Sequence, residues 1–248
     1  RGLFAVEKDD DAFKTLKHNL LDSRKCFFEW PSWLPQTSHT LEDLTLNYAA
    51  NLKTLQGKVD LLVGGPPCQG FSTIGRRRAN DPRNQVFRHY LKVVHLLKPR
   101  IVMMENVRGI LCSFGDKSGS EGKSRPLVYA DIIQNALKSD YEVHAAIVRA
   151  KDYGVPQTRP RFILIGFRRA IIRQGSLINP FDVLEKRRQQ FLSKKGLKTV
   201  PTTTGDALSD LIRDDKTVCA CVDSPKFAQG AYGKQVSAYQ RLMHAGVE

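Results

Sequence analysis

A thiol, a carboxylate and a pair of guanidinium groups stand beside three apolar runs in this chain. The first run, Val59 to Val63, stops abruptly at Gly64-Gly65-Pro66-Pro67 and is followed at once by Cys68. A β-branched, leucine-rich run ended by glycine and proline reads as a buried strand. Open α/β sheets carry their reactive groups at such carboxyl ends. Two successive prolines fix φ and remove backbone donors, so the loop entering Cys68 is stiff. A stiffly held thiol suits a nucleophile, because misplacement by about 1 Å can cost on the order of 100-fold in rate. The competing reading is an inert buried thiol, the common state of a free cysteine. The second run, Ile101 to Met104, ends in Glu105-Asn106-Val107. The third, Phe162 to Phe167, is preceded by a segment running from Gly154 through Gln157 and Arg159 to Arg161. Glu105 also fits a carboxylate at a helix N-terminus. Arg159 and Arg161 share one side of an extended segment, which a salt-bridged surface pair would do equally well.

Taken in order, these segments resemble the cytosine-C5 DNA methyltransferase family. That family has a Pro-Cys-Gln loop, a Glu-Asn-Val segment and a Gln-x-Arg-x-Arg segment, and Pro67-Cys68-Gln69, Glu105-Asn106-Val107 and Gln157 to Arg161 reproduce them. The resemblance implies methyl transfer from S-adenosylmethionine to carbon 5 of a cytosine in double-stranded DNA. Carbon 5 is a poor nucleophile, and a thiolate adding at C6 would activate it by making an enamine. Cys68 is the nucleophile on this pattern, since sulfur is partly ionised near neutrality and intrinsically reactive. Glu105 matches the carboxyl that serves the ring N3, with Asn106 ordering the loop. Arg159 would contact the cytosine carbonyl and Arg161 would support it. Gln69, Ser72 and Arg83 fall in the stretch that resembles the family's mobile loop and would touch DNA. Because C6 is stacked inside a duplex, the base must first be flipped out. For the cofactor, Glu7 resembles the ribose-binding acid, Asp43 stands where an acid meets the adenine amino group, with Glu42 competing, and Pro66 would line the cleft.

The elements that must position these groups alternate. A strand over Leu3–Val6 leads to Glu7, and Asp10 to Leu20 reads as a helix with Phe13, Leu16 and Leu20 on one face. Residues 22–58 read as irregular, with Trp30, Pro31, Trp33 and Pro35 close together. Strands are expected over 59–63, 101–104, 141–148 and 162–167, with helices over 84–97 and 130–137. The sequence 113–126 reads as a loop rich in glycine, serine and lysine. This alternation predicts a doubly wound α/β sheet with helices on both faces, which the resemblance refines to a Rossmann-like S-adenosylmethionine-dependent methyltransferase sheet. The resemblance is close over 2–169 and looser over 170–248. There the stretches Thr204 to Leu211 and Ser237 to Gln240 look like pieces of a target-recognition region. The expected division is thus a catalytic domain over 1–169 and a partial recognition region over 170–248.

Composition agrees with such a partner. The chain has 39 Lys and Arg against 25 Asp and Glu, a net charge of +14, which points to a polyanion. Clusters at Arg76-Arg77-Arg78, Arg168-Arg169, Lys186-Arg187-Arg188 and Lys194-Lys195 sharpen that reading beyond a generic basic surface. The five cysteines form neither a disulfide framework nor a zinc set, so a reducing compartment is expected. No run approaches the length of a membrane span. The expected form is a monomer, in the bacterial cytoplasm at the nucleoid, or in the nucleus if the source is eukaryotic. The family's opening Phe-x-Gly-x-Gly strand and its closing Gly-Asn segment are not found, so these residues read as a fragment unable to bind the cofactor tightly alone. Two alternatives stand beside the leading reading. One is a cytosine-C5 methyltransferase acting on transfer RNA, which lacks support because its Cys-Phe-Thr mark is missing. The other is a non-catalytic DNA-binding remnant.

Overall fold

Asp9 starts the first helix. In a computed structural model, which describes residues 1–22, 28–66, 84–114, 127–172, 178–212 and 218–245, its carboxylate accepts from the N–H groups of Asp11 (3.1 Å) and Ala12 (2.9 Å). Those donors have no partner inside a helix. Asp10 and Asp11 in the first turn, with Lys17 and His18 in the last, complement the dipole of α1 (Asp10–Leu20). Two compact units follow the contacts: Arg1–Ala146 with Phe162–Leu177, and Ile147–Arg161 with Ile178–Glu248. The segment 147–161 therefore groups with the second unit, although the sequence division falls at 169.

The first unit departs from expectation near its start. Leu3–Val6, expected as a strand, carries no sheet ladder; Gly2 alone makes a bridge, to Phe28. Its apolar side chains instead join the core of Leu34, Leu44, Leu52, Val59, Val93 and Leu97. The region 22–58, expected as irregular, contains α2 (Leu41–Asn47) and α3 (Ala49–Thr54). A reciprocal cap explains α2. Thr40 Oγ1 accepts from the Asp43 N–H at 3.0 Å, and Asp43 Oδ2 accepts from the Thr40 N–H at 3.3 Å. Leu44 and Leu52 are fully buried, each stabilising the fold by roughly 1.5–3 kcal/mol relative to exposure.

The sheet then forms around a crossover. Strand β1 (Leu61–Gly64) leads through α4 (Asn84–Leu97) to β2 (Ile101–Val107), and the two strands pair in parallel from Leu61↔Ile101 to Gly64↔Met104. A short antiparallel pair, β3 (Ser113–Phe114) with β4 (Leu127–Val128), precedes α5 (Tyr129–Leu137). Two long strands complete the sheet, β5 (Tyr141–Arg149) and β6 (Pro160–Arg168), in the order β1-β2-β6-β5. The end of β6 meets the starts of both neighbours: the Arg168 N–H donates to Arg100 O and the Arg169 N–H to Asp140 O, each at 2.9 Å. Strand β6 therefore runs antiparallel to both, and the sheet is mixed. Alternate residues of β2 (Val102, Met104, Asn106) and of β6 (Phe162, Leu164) are buried, as period-two geometry requires. The buried Tyr141 hydroxyl donates to Pro99 O at 3.0 Å, and burial pushes its pKa up to about 12.

Gly64 is where the strand must be bare. A Cβ there would lie 2.3 Å from Cε2 of Tyr90, whose ring is buried and whose hydroxyl donates to Met103 O at 3.3 Å. Gly64→Ala is expected to lower stability by roughly 1–3 kcal/mol through overpacking. Thermal unfolding of the variant checks this, and an unchanged melting temperature would contradict it.

The second unit is built on short, individually capped helices. Helix α6 (Pro180–Lys194) begins with Asn179, whose side chain accepts from the Phe181 N–H at 3.0 Å, and with Pro180 in its first turn. It is followed by α7 (Thr204–Leu208), the antiparallel pair β7 (Val218–Ala220) and β8 (Ala228–Gly230), and α8 (Ala238–His244). The two stretches singled out in the sequence meet. Buried Gln240 donates from Nε2 to Ser209 Oγ (2.8 Å) and to Asp210 Oδ1 (3.1 Å), while His244 Nε2 lies 2.9 Å from Asp210 Oδ2.

Candidate active site

The carboxyl end of β1 and that of β2 lie side by side, because the two strands are parallel and in register up to Gly64↔Met104. The next residues of each, Gly65-Pro66 and Glu105-Asn106, are consequently neighbours. A methyl group on Gly65 would stand 3.5 Å from Glu105 Oε2, so the carboxylate lies over the backbone that leads to Cys68. Asn106 is buried and donates from Nδ2 to Pro66 O at 3.1 Å, while its Oδ1 accepts from the Val107 N–H at 2.8 Å. Both ends of the amide are satisfied, as a buried polar group requires. One side chain thus ties the proline-rich exit of β1 to the end of β2. Sequence reasoning gave Asn106 an ordering role; the hydrogen bonds now show what it holds.

Asn106→Ala leaves Pro66 O without that donor and is expected to cost about 1–3 kcal/mol. It should also slow any chemistry at Cys68 by at least about tenfold, because the loop entrance loses its anchor. Unfolding and single-turnover rates measured on one preparation test both. A rate equal to wild type would show that the anchor is dispensable.

The other expected site residues fall as follows. Cys68, Gln69, Ser72 and Arg83, with the Arg76–Arg78 cluster, lie outside the described residues. Glu7 is half-buried; its Oε1 accepts from the Asp9 N–H at 3.0 Å, and its carbonyl accepts from the His39 N–H at 2.8 Å. Asp43 is exposed, and Thr40, through its side chain and then its backbone, holds the carboxyl below the usual range. The bond from the Glu7 carbonyl to His39 ties the end of the first segment to the residue before the cap of α2. Pro66 is buried. In the second unit Arg159 is exposed, whereas Arg161 is half-buried and donates to Pro160 O at 3.0 Å. Arg161 lies on the β6 face opposite buried Phe162.

Comparison with known proteins decides the family. The model of the C-5 cytosine-specific DNA methylases matches residues 1–229. The chain belongs to this family. Among curated DNA methylase relatives, the Type II methyltransferase M.DdeI of Desulfomicrobium norvegicum is 35% identical over 185 residues, covering 74% of the chain and 40% of M.DdeI. M1.HphI of Haemophilus parahaemolyticus is 41% identical over 112 residues, 44% of the chain and 27% of that protein. The matched stretches therefore span less than half the length of either relative. A solved structure of a candidate DNA modification methyltransferase encoded within an E. coli prophage superposes with a TM-score of 0.52 at 25% identity, covering 86% of the chain and 49% of that protein. The methylase fold is accordingly the doubly wound α/β methyltransferase sheet expected from the sequence, with β6 inserted antiparallel.

Proposed function

We propose that the protein methylates carbon 5 of cytosine in double-stranded DNA through a covalent Cys68–C6 adduct, as a monomeric modification enzyme of the bacterial cytoplasm. Residues 1–169 carry the chemistry, and residues 170–248 take part in target recognition. One observation supports this most: the Glu105 carboxylate stands over Gly65, on the segment that delivers Cys68. With a flipped cytosine present, the Cys68 thiolate forms a bond to C6 and pushes an electron pair into the ring toward N3. Glu105 shares a proton with N3 and stabilises that density as it develops. Arg159 binds the ring carbonyl, with Arg161 supporting it. Removal of the proton from methylated C5 then expels Cys68 as thiolate and restores the aromatic ring. Gln69, Ser72 and Arg83 hold the DNA backbone and the space left by the base.

S-adenosylmethionine supplies an electrophilic methyl group on a sulfonium. The donor set fits it. Glu7 and Asp43 offer carboxylate acceptors that suit ribose hydroxyls and an adenine amino group, and the Glu7 backbone is tied to His39, next to the cap of α2. Buried Pro66 offers an apolar surface for the cleft. Methyl-labelled cofactor incubated with the protein and either duplex DNA or transfer RNA tests the proposal. Label at cytosine C5 of DNA supports it. Label confined to transfer RNA, or no label with retained DNA binding, overturns it in favour of an RNA enzyme or a binding remnant respectively.

A further inference from the structure

Helix α6 carries the run Lys186-Arg187-Arg188 and ends at Lys194, and the helix separates these cations onto different faces. At 3.6 residues per turn, Ser193, Lys186, Gln190, Lys194 and Arg187 fall within about 120° of arc. All five are exposed. The opposite side of the helix holds Leu192, which is buried and packs over Gly154 of the second unit. Arg188 sits on this docked side. It pairs with Glu185 at 3.0 Å, and its Nε is buried. Tyr153 lies against the same side: burial raises its pKa, and the nearby Glu185 charge raises it further. Docking thus fixes which way the remaining cations face.

An ordinary solvated helix balances its lysines with acids three or four residues away. Here Glu185 is engaged by Arg188, and Asp182, four residues before Lys186, stands in the first turn without an ion pair to it. Among the described residues, Lys186, Arg187 and Lys194 have no ion pair. The face therefore presents three unneutralised cations with Gln190 and Ser193 between them, all able to donate hydrogen bonds. Lys186 and Lys194 are two turns apart, about 12 Å along the axis. A row of spaced cations and neutral donors suits a row of phosphates.

We infer that this face of α6 binds the phosphate backbone of duplex DNA, contributing affinity without base specificity. The inference rests on the DNA reading above. It makes α6 a positioning surface, separate from the residues that touch the reacting base. The test is a triple variant, K186Q/R187Q/K194Q, compared with wild type by fluorescence anisotropy on duplex DNA across a range of salt concentrations. About 0.9 units of salt slope are lost per phosphate contact, so the slope should fall by roughly 2–3 and affinity near 0.15 M salt by about 10- to 100-fold. The methyl-transfer rate at saturating DNA and the melting temperature should not change, and K186R/R187K/K194R should restore the slope. An unchanged slope in the triple variant, in a wild type that binds and methylates duplex DNA, overturns this inference alone. Weakened binding to transfer RNA with duplex binding intact overturns it as well. A wild type that neither binds nor methylates duplex DNA overturns the functional reading and this inference together.

Discussion

Cys68→Ser is expected to lower methyl transfer by on the order of 10⁴-fold or more, because removing a nucleophile removes the whole covalent route. Serine keeps the size and polarity of the side chain, but its hydroxyl is scarcely ionised near neutrality. DNA affinity should stay within a few-fold of wild type, since base flipping and phosphate contacts do not need the thiol. The loop entrance should also be unchanged, because Asn106 holds Pro66 upstream of the substitution. Single-turnover methylation and DNA binding on one preparation separate these effects. Turnover like that of wild type would end the covalent mechanism. A joint loss of turnover and DNA binding would mean that Cys68 acts through the structure of its loop.

Glu105→Gln should slow the chemical step by roughly 10²- to 10⁴-fold, the usual worth of a positioned proton donor. The amide is nearly isosteric, so the contact over Gly65 is kept while the exchangeable acid proton is lost. Losing an interaction made only as charge develops lowers kcat and leaves ground-state binding alone. Cofactor affinity is therefore expected to stay within about twofold, measured by calorimetry. If that affinity collapses and the rate at saturating cofactor survives, Glu105 belongs to the cofactor pocket.

Much of this arrangement was legible in the residues, and the exceptions have physical causes. Helices 10–20 and 84–97 agree end to end with the spans expected from the sequence. Strand β2 runs on to Val107, beyond the expected Met104, because Glu105 and Asn106 keep strand geometry while bearing polar side chains. The stretch 22–58 misled because its tryptophans and prolines look like loop. Yet Thr40-Leu41-Glu42-Asp43 is a helix-start signal, and Asp43 completes the reciprocal cap of α2. Leu3–Val6 has the composition of a strand but satisfies its apolar side chains by packing on the core. No local pattern could reveal that 147–161 groups with residues beyond 178, since this follows from long-range packing such as that of Leu192 over Gly154. The contact of Glu105 with Gly65 was likewise hidden. It arises from the register of two strands separated by a whole helix.

The central claim is a covalent bond between Cys68 and C6 of a cytosine in DNA, and trapping that bond tests it most directly. Duplex DNA carrying 5-fluorocytosine at the target blocks the final elimination, because fluorine cannot leave as a proton does. Mass spectrometry of the protein incubated with this DNA and S-adenosylmethionine is expected to show a denaturation-resistant complex with the mass of protein, DNA and one methyl group. Proteolysis should place the attached nucleotide on the peptide containing Cys68. A methylating protein that yields no such complex, or one attached through another residue, contradicts the account.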